Sequence, residues 1–221
     1  MSEIFREVDE DVRRDQYMVL WQRFRWLIIG AVAVTVGGTA AFVGWRDYTA
    51  TQIENRAQRF AAATALSDAD RHDDAARAFG AFADDVGSDY AVLAWLREAA
   101  ALAAAGDRAG AVATYDRVAS DRGVDEVWRE FAVILAAQHV LDSGDAAGAE
   151  ERLSPLASGA GAWRHMAREL QALAALQSGR NEDARAIFAE LVEQAGVPNG
   201  VRIRSSELLS ALGGPIETGS Q

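Results

Sequence analysis

Three Gly residues stand at matched points of three similar segments, and their spacing constrains the fold of this 221-residue chain more than any other feature. Ala105-Gly106, Ser143-Gly144 and Ser178-Gly179 lie 38 and 35 residues apart. Five residues after each Gly stands an Ala (Ala111, Ala149, Ala184), and nine after it a large residue (Tyr115, Leu153, Phe188). Twelve after it comes Val118, Leu156 or Leu191, and sixteen before it an aromatic (Tyr90, Trp128, Trp163). The frame reaches back to Asp70, 36 residues before Gly106, with Ala75, Phe79 and Phe82 at the corresponding places. Self-similarity at this period marks an array of stacked units rather than one closed core.

Within a unit the apolar residues recur at helical spacing. Val92, Trp95, Leu96, Ala99 and Leu102 form one stripe, which Gly106-Asp107 interrupts because Gly tolerates the positive φ that closes a helix. A second helix is expected from Ala109 to about Ser120. Val127, Phe131, Ile134, Leu135 and Val140 line the first helix of the next pair, and Met166, Leu170, Leu173 and Leu176 that of the one after. The Ala after each turn lets the paired helices approach closely, while the bulky residues four and seven further on fill the groove against the next pair. One pair alone leaves a face bare, and stacking buries it. The expected fold class is all-α: four degenerate helix pairs in an array, preceded by a single membrane-spanning helix.

That helix is read from Trp26 to Trp45, 20 residues without a charge, which as a helix spans ~30 Å, the thickness of a bilayer's hydrocarbon core. Trp21, Phe24 and Trp26 mark one end, and Trp45 and Tyr48 the other, as amphipathic rings do at headgroup level. A cleaved signal peptide fits less well. The leading segment is 25 residues long and holds six acids, Thr39-Ala40-Ala41 is a poor cleavage site, and the helical pattern continues through Arg46 to Leu66. Arg13, Arg14, Arg23 and Arg25 precede the run and Arg46, Arg56 and Arg59 follow it, so the basic residues lean slightly toward an inside N-terminus. The expected organisation is a cytoplasmic tail over 1–25, the span over 26–45, the repeat domain over 46–212 and a flexible tail over 213–221. Ala33, Gly37 and Ala41 make a small-residue row in the span, a pattern common in membrane helices.

Charge and composition remove several function classes. Residues 46–221 hold 17 Arg against 27 Asp and Glu, a net charge of −10, so nucleic acid and anionic lipid surfaces are not expected as partners. There is no Cys and no Lys, which excludes thiolate chemistry, disulfides and a Lys-bearing phosphate loop. His72, His139 and His165 fall in three different units with no second ligand at metal spacing. The acidic stretch Asp68, Asp70, Asp73, Asp74 lacks the central Gly and closing Glu of a calcium loop and reads as a turn followed by helix-start acids. Gly87-Ser88-Asp89 is no nucleophile elbow. No catalytic, cofactor-binding or metal residues are assigned, and no small-molecule substrate is expected. Trp95, Trp128 and Trp163 are expected in core or inter-repeat packing ahead of recognition, and Ile4, Phe5, Val8 and Val12 suggest a short amphipathic helix in the tail.

In its Gly-Asp turn, the Ala five residues on, the large residue four after that, and Trp95 eleven residues before its turn, the array resembles tetratricopeptide repeats. It departs from them where Ala63, Ala99, Ala137 and Ala172 replace the family's first-helix Gly, and Pro198 alone lies near the place of the closing Pro. With the acidic segment Glu3 to Val12 and the single span, the order of parts resembles the YfgM-type ancillary subunits of the bacterial SecYEG translocon, in a divergent alphaproteobacterial form. That resemblance implies a noncatalytic protein of the bacterial inner membrane with its repeat domain in the periplasm. It would link the translocon to periplasmic chaperones or emerging polypeptides. A scaffold for envelope assembly or cell division, bridging two proteins through the repeats, is the alternative.

Overall fold

The computed structural model describes residues 3–214, with side chains from Trp21 onward except at positions 22, 28, 88 and 89. The face of Ile4, Phe5, Val8 and Val12, and the tail beyond residue 214, lie outside the described residues. Among the described residues there are nine helices and no strand: α1 (Glu3–Asp68), α2 (His72–Asp85), α3 (Ser88–Ala104), α4 (Arg108–Ser120), α5 (Glu126–Asp142), α6 (Ala146–Ser158), α7 (Arg164–Gln177), α8 (Asn181–Glu193) and α9 (Asn199–Ala211). Two compact units result, Met1–Ala57 and Gln58–Gln221.

In the first unit, every described side chain from Trp26 to Trp45 is exposed. A core helix of a soluble protein hides such residues, so this run is no core helix. It is long and apolar enough to cross a membrane. Its two Thr side chains are compatible with lipid, because Thr35 Oγ1 donates to the Ala31 carbonyl at 2.8 Å and Thr39 Oγ1 to the Thr35 carbonyl at 2.7 Å. Neither hydroxyl is left without a partner in hydrocarbon.

In the second unit the repeat frame is written in the backbone. Gly106, Gly144 and Gly179 have φ of 90°, 97° and 74°, and Asp70, the fourth member, has φ of 56°. At each, the residue after the turn donates to a carbonyl five residues back: Arg71 to Leu66, Asp107 to Leu102, Asp145 to Val140 and Arg180 to Ala175, at 2.9 to 3.2 Å. This satisfies carbonyls that a helix end would otherwise orphan. The chain repeats the closure a fifth time, with Gly213 at φ 92° and Gly214 N–H on the Leu209 carbonyl at 2.9 Å. Helix α9 is therefore a first helix in the same frame, 34 residues on, which the sequence pattern had not assigned.

The second helices start on paired residues one and four places past the turn. Asp107 and Asp145 each accept from the backbone N–H of Gly110 or Gly148 at 2.9 Å, and a Cβ on either Gly would lie 2.3 Å from the capping carboxylate. In the outer units the order is reversed, Arg71 reaching Asp74 and Arg180 reaching Asp183.

Close approach explains the seam. Ala75, Ala111, Ala149 and Ala184 are fully buried, as are Ala63, Ala99, Ala137 and Ala172 on the first helices. On α7 the large residues expected inside, Met166, Leu170, Leu173 and Leu176, are only half-buried, while Ala167, Ala172, Ala174 and Ala175 take the innermost places. The paired backbones come near enough that only methyl groups fit between them. Phe79, Tyr115, Leu153 and Phe188, nine residues past each turn, are buried as the frame requires.

Successive units are joined in two different ways. Second helices are linked by ion pairs, Arg117 to Asp84 and Arg152 to Asp116, and Arg180, the N-cap residue of α8, pairs with Glu150 of α6. First helices are linked by shorter-reaching contacts: Trp163 Nε1 donates to the Val127 carbonyl at 2.8 Å and Gln177 Nε2 to the Leu141 carbonyl at 3.1 Å. Arg204 on α9 holds the buried Glu169 of α7 through two bonds of 2.6 Å.

Candidate protein-interaction surface

The first helices begin abruptly, and that placement exposes apolar side chains. A residue in the first turn has no preceding turn to cover it. Among the described residues of the second unit the large apolar side chains left exposed are Tyr90 at the start of α3 and Leu93 a turn further on, Val127 and Trp128 at the start of α5, and Ile203 on α9. Trp128 keeps 39% of its surface open and Tyr90 59%.

Around Trp128 these residues form a built surface. Phe131 stacks on Trp163 with ring centroids 4.7 Å apart and meets Trp128 edge-on at 6.3 Å. Trp163 is the N-cap residue of α7, and its ring N–H is held by the Val127 carbonyl. The three rings thus make a shelf across the start of two successive first helices. In the loop before α7, Gly161 leaves room for the Glu130 carboxylate, which would lie 2.6 Å from a Cβ there.

The sequence pattern places Trp95, Trp128 and Trp163 in core or inter-repeat packing ahead of recognition. That holds for Trp95, which is buried with the Arg117 guanidinium 4.3 Å above its ring, and for Trp163, which joins α7 to α5. It fails for Trp128. Trp128 and Trp163 share the place sixteen residues before the turn, and what separates them is the neighbour each meets: Trp163 is held by the Val127 carbonyl and stacked on Phe131, while Trp128 meets Phe131 only edge-on.

The remaining candidates are scattered. His139 stacks on Tyr115 at 5.7 Å, and His72 lies 3.7 Å from the Asp70 carboxylate. His165 is buried with Nδ1 unpartnered and Nε2 3.2 Å from the Arg164 guanidinium. Burial first, then the charges of Arg164 and Arg168, push its pKa below the ordinary imidazole value. In the acidic stretch, Asp73 and Asp74 occupy the first turn of α2, and the hydrogen bond from Arg71 holds the Asp74 carboxyl below the usual carboxylate range. Glu98 goes the other way, raised by burial against Gly80. No group of three or more His, Asp or Glu side chains converges on a metal-sized site among the described residues.

Comparison with known proteins agrees with the repeat geometry. No curated protein and no solved structure matches the chain. One family description, a tetratricopeptide repeat-like domain, matches residues 19–206, which takes in the apolar run and all four complete helix pairs. Repeat-like domains of this kind are typically noncatalytic scaffolds for protein–protein interaction. The chain belongs to the tetratricopeptide repeat-like family.

Proposed function

We propose that this protein is a membrane-anchored adaptor of the YfgM type, ancillary to the Sec translocon, which links SecYEG to periplasmic chaperones or emerging polypeptides. In this reading residues 1–25 are a cytoplasmic tail, 26–45 cross the bacterial inner membrane, 46–212 form the periplasmic repeat domain and 213–221 a C-terminal tail. The observation that carries it is the uncharged run Trp26 to Trp45, exposed at every described side chain, in the same chain as an interaction-type repeat array. Anchoring raises the local concentration of the array at one membrane, so a modest affinity suffices for occupancy. The acidic character of residues 46–221 favours basic or amphipathic partners over anionic ones.

Crosslinking in intact membranes tests the assignment. Recovery of translocon subunits is expected, and recovery of division or envelope-synthesis proteins without them would replace the adaptor by an assembly scaffold. A periplasm-active reporter fused after Gln221 is expected to be active, and activity of a cytoplasmic reporter alone would invert the topology.

A further inference from the structure

We infer that the shelf formed by Val127, Trp128, Phe131 and Trp163 docks a polypeptide segment that combines apolar residues with Lys or Arg. This rests on the adaptor reading and names the chemistry of the partner. The shelf is preformed: the Trp163 N–H is already satisfied by Val127 and its ring is fixed on Phe131, so a ligand covers apolar area without ordering loose side chains. Open, rigid aromatics of this kind carry a large share of binding energy at interfaces.

The charges beside the shelf supply the second half of the argument. Between Asp121 and Glu130 four carboxylates stand against two guanidiniums, Arg122 and Arg129. Elsewhere in the array Asp84, Asp116, Glu150, Glu169 and Glu190 are each engaged by an Arg, while Asp73, Asp142, Glu193 and Glu207 enter no ion pair among the described residues. Asp121, Asp125, Glu126 and Glu130 enter no ion pair among the described residues. Asp125 is the telling one. It sits at the N-cap of α5, yet its side chain makes no capping hydrogen bond, whereas Asp107 and Asp145 cap α4 and α6. A carboxylate free of its helix, next to an open Trp, is positioned to take a cation from a docked chain. An acidic segment would meet these same groups as like charges.

The test uses the full-length chain in nanodiscs of zwitterionic lipid, with labelled peptides that share their apolar residues and carry Lys, Gln or Glu at the same polar positions. Fluorescence polarisation is expected to rank them Lys, Gln, Glu from tightest to weakest. Trp128→Ala should weaken the Lys peptide by roughly tenfold or more. Asp125→Asn combined with Glu126→Gln should erase the preference for Lys over Gln and leave the Gln peptide unchanged. Ile203→Ala, at the exposed apolar residue on α9, should change nothing, and melting of each variant confirms that it folds. Equal affinity for the Lys and Glu peptides, or no effect of Trp128→Ala, overturns the assignment. A photocrosslinker at Glu151, exposed on the second helix α6, that captures translocon or chaperone partners, while one at Trp128 captures none, overturns the shelf and keeps the adaptor. No adduct from either position overturns both.

Discussion

The apolar run of the first unit and the helix seams of the second are made from the same residues and use them in opposite ways. Gly30, Gly37, Gly38 and Gly44 have nothing within 4 Å of where a Cβ would sit, and their Ala and Val neighbours are exposed. In the array, Ala at the turn-plus-five positions is fully buried against another backbone. Small apolar residues therefore do not by themselves announce a core. What separates the two regions is charge periodicity: the run has none over 20 residues, so no face of it is specified, whereas each repeat helix has polar positions that fix which side turns inward.

The largest expected effect breaks the comparison directly. Phe188 is fully buried and Phe42 is 67% exposed. Phe188→Ala should lower the stability of the array by about 3–5 kcal/mol, through lost transfer energy and the cavity left behind. Phe42→Ala should leave its unfolding unchanged. Urea unfolding of the full chain in detergent, followed by far-UV circular dichroism, measures both. Equal effects would mean that the run and the array share one core.

A middling effect sharpens the frame itself. Gly106→Ala places a Cβ at φ 90°, where no neighbour crowds it within 4 Å, so its cost is conformational, about 1–2 kcal/mol. Asp70→Gly should shift stability the other way by a smaller amount, because Asp70 already sits at φ 56° with a side chain. Melting temperatures that move in the same direction for both would deny that the two positions are equivalent.

The turns and seams were legible because each depends on one residue type at a fixed spacing. Gly tolerates the closing φ and Ala tolerates the close approach, so both leave a trace in the chain. Helix α9 left only its closing Gly213: Thr218 stands five residues later, where the other units have Ala. The ion pairs between successive units were illegible for another reason. Their partners are 30 to 36 residues apart, and the register that selects one Arg among many is set only after the helices stack. The open face of Trp128 was hidden by periodicity, which gives Trp128 and Trp163 the same place in the frame although only Trp163 is held by the preceding first helix.

The smallest effect concerns acid, and it again divides the two units, since the chain's three His residues all lie beyond Ala57. His165 has its folded pKa held below the ordinary 6.5 by burial, with Arg164 and Arg168 adding to the effect. The unfolded chain binds that proton more readily than the folded one, so stability rises with pH wherever the two differ. Above the unfolded value both states are neutral and His165 has no influence. As pH drops through 6.5 toward the folded pKa the array should lose stability, and below the folded pKa the loss is complete. His165→Gln removes the titration, so the melting temperature of the variant should fall less than that of the wild type between neutral and mildly acidic buffer. An identical fall in both would place the acid sensitivity in other groups, and would show that the imidazole between α7's two guanidiniums is as easily protonated folded as unfolded.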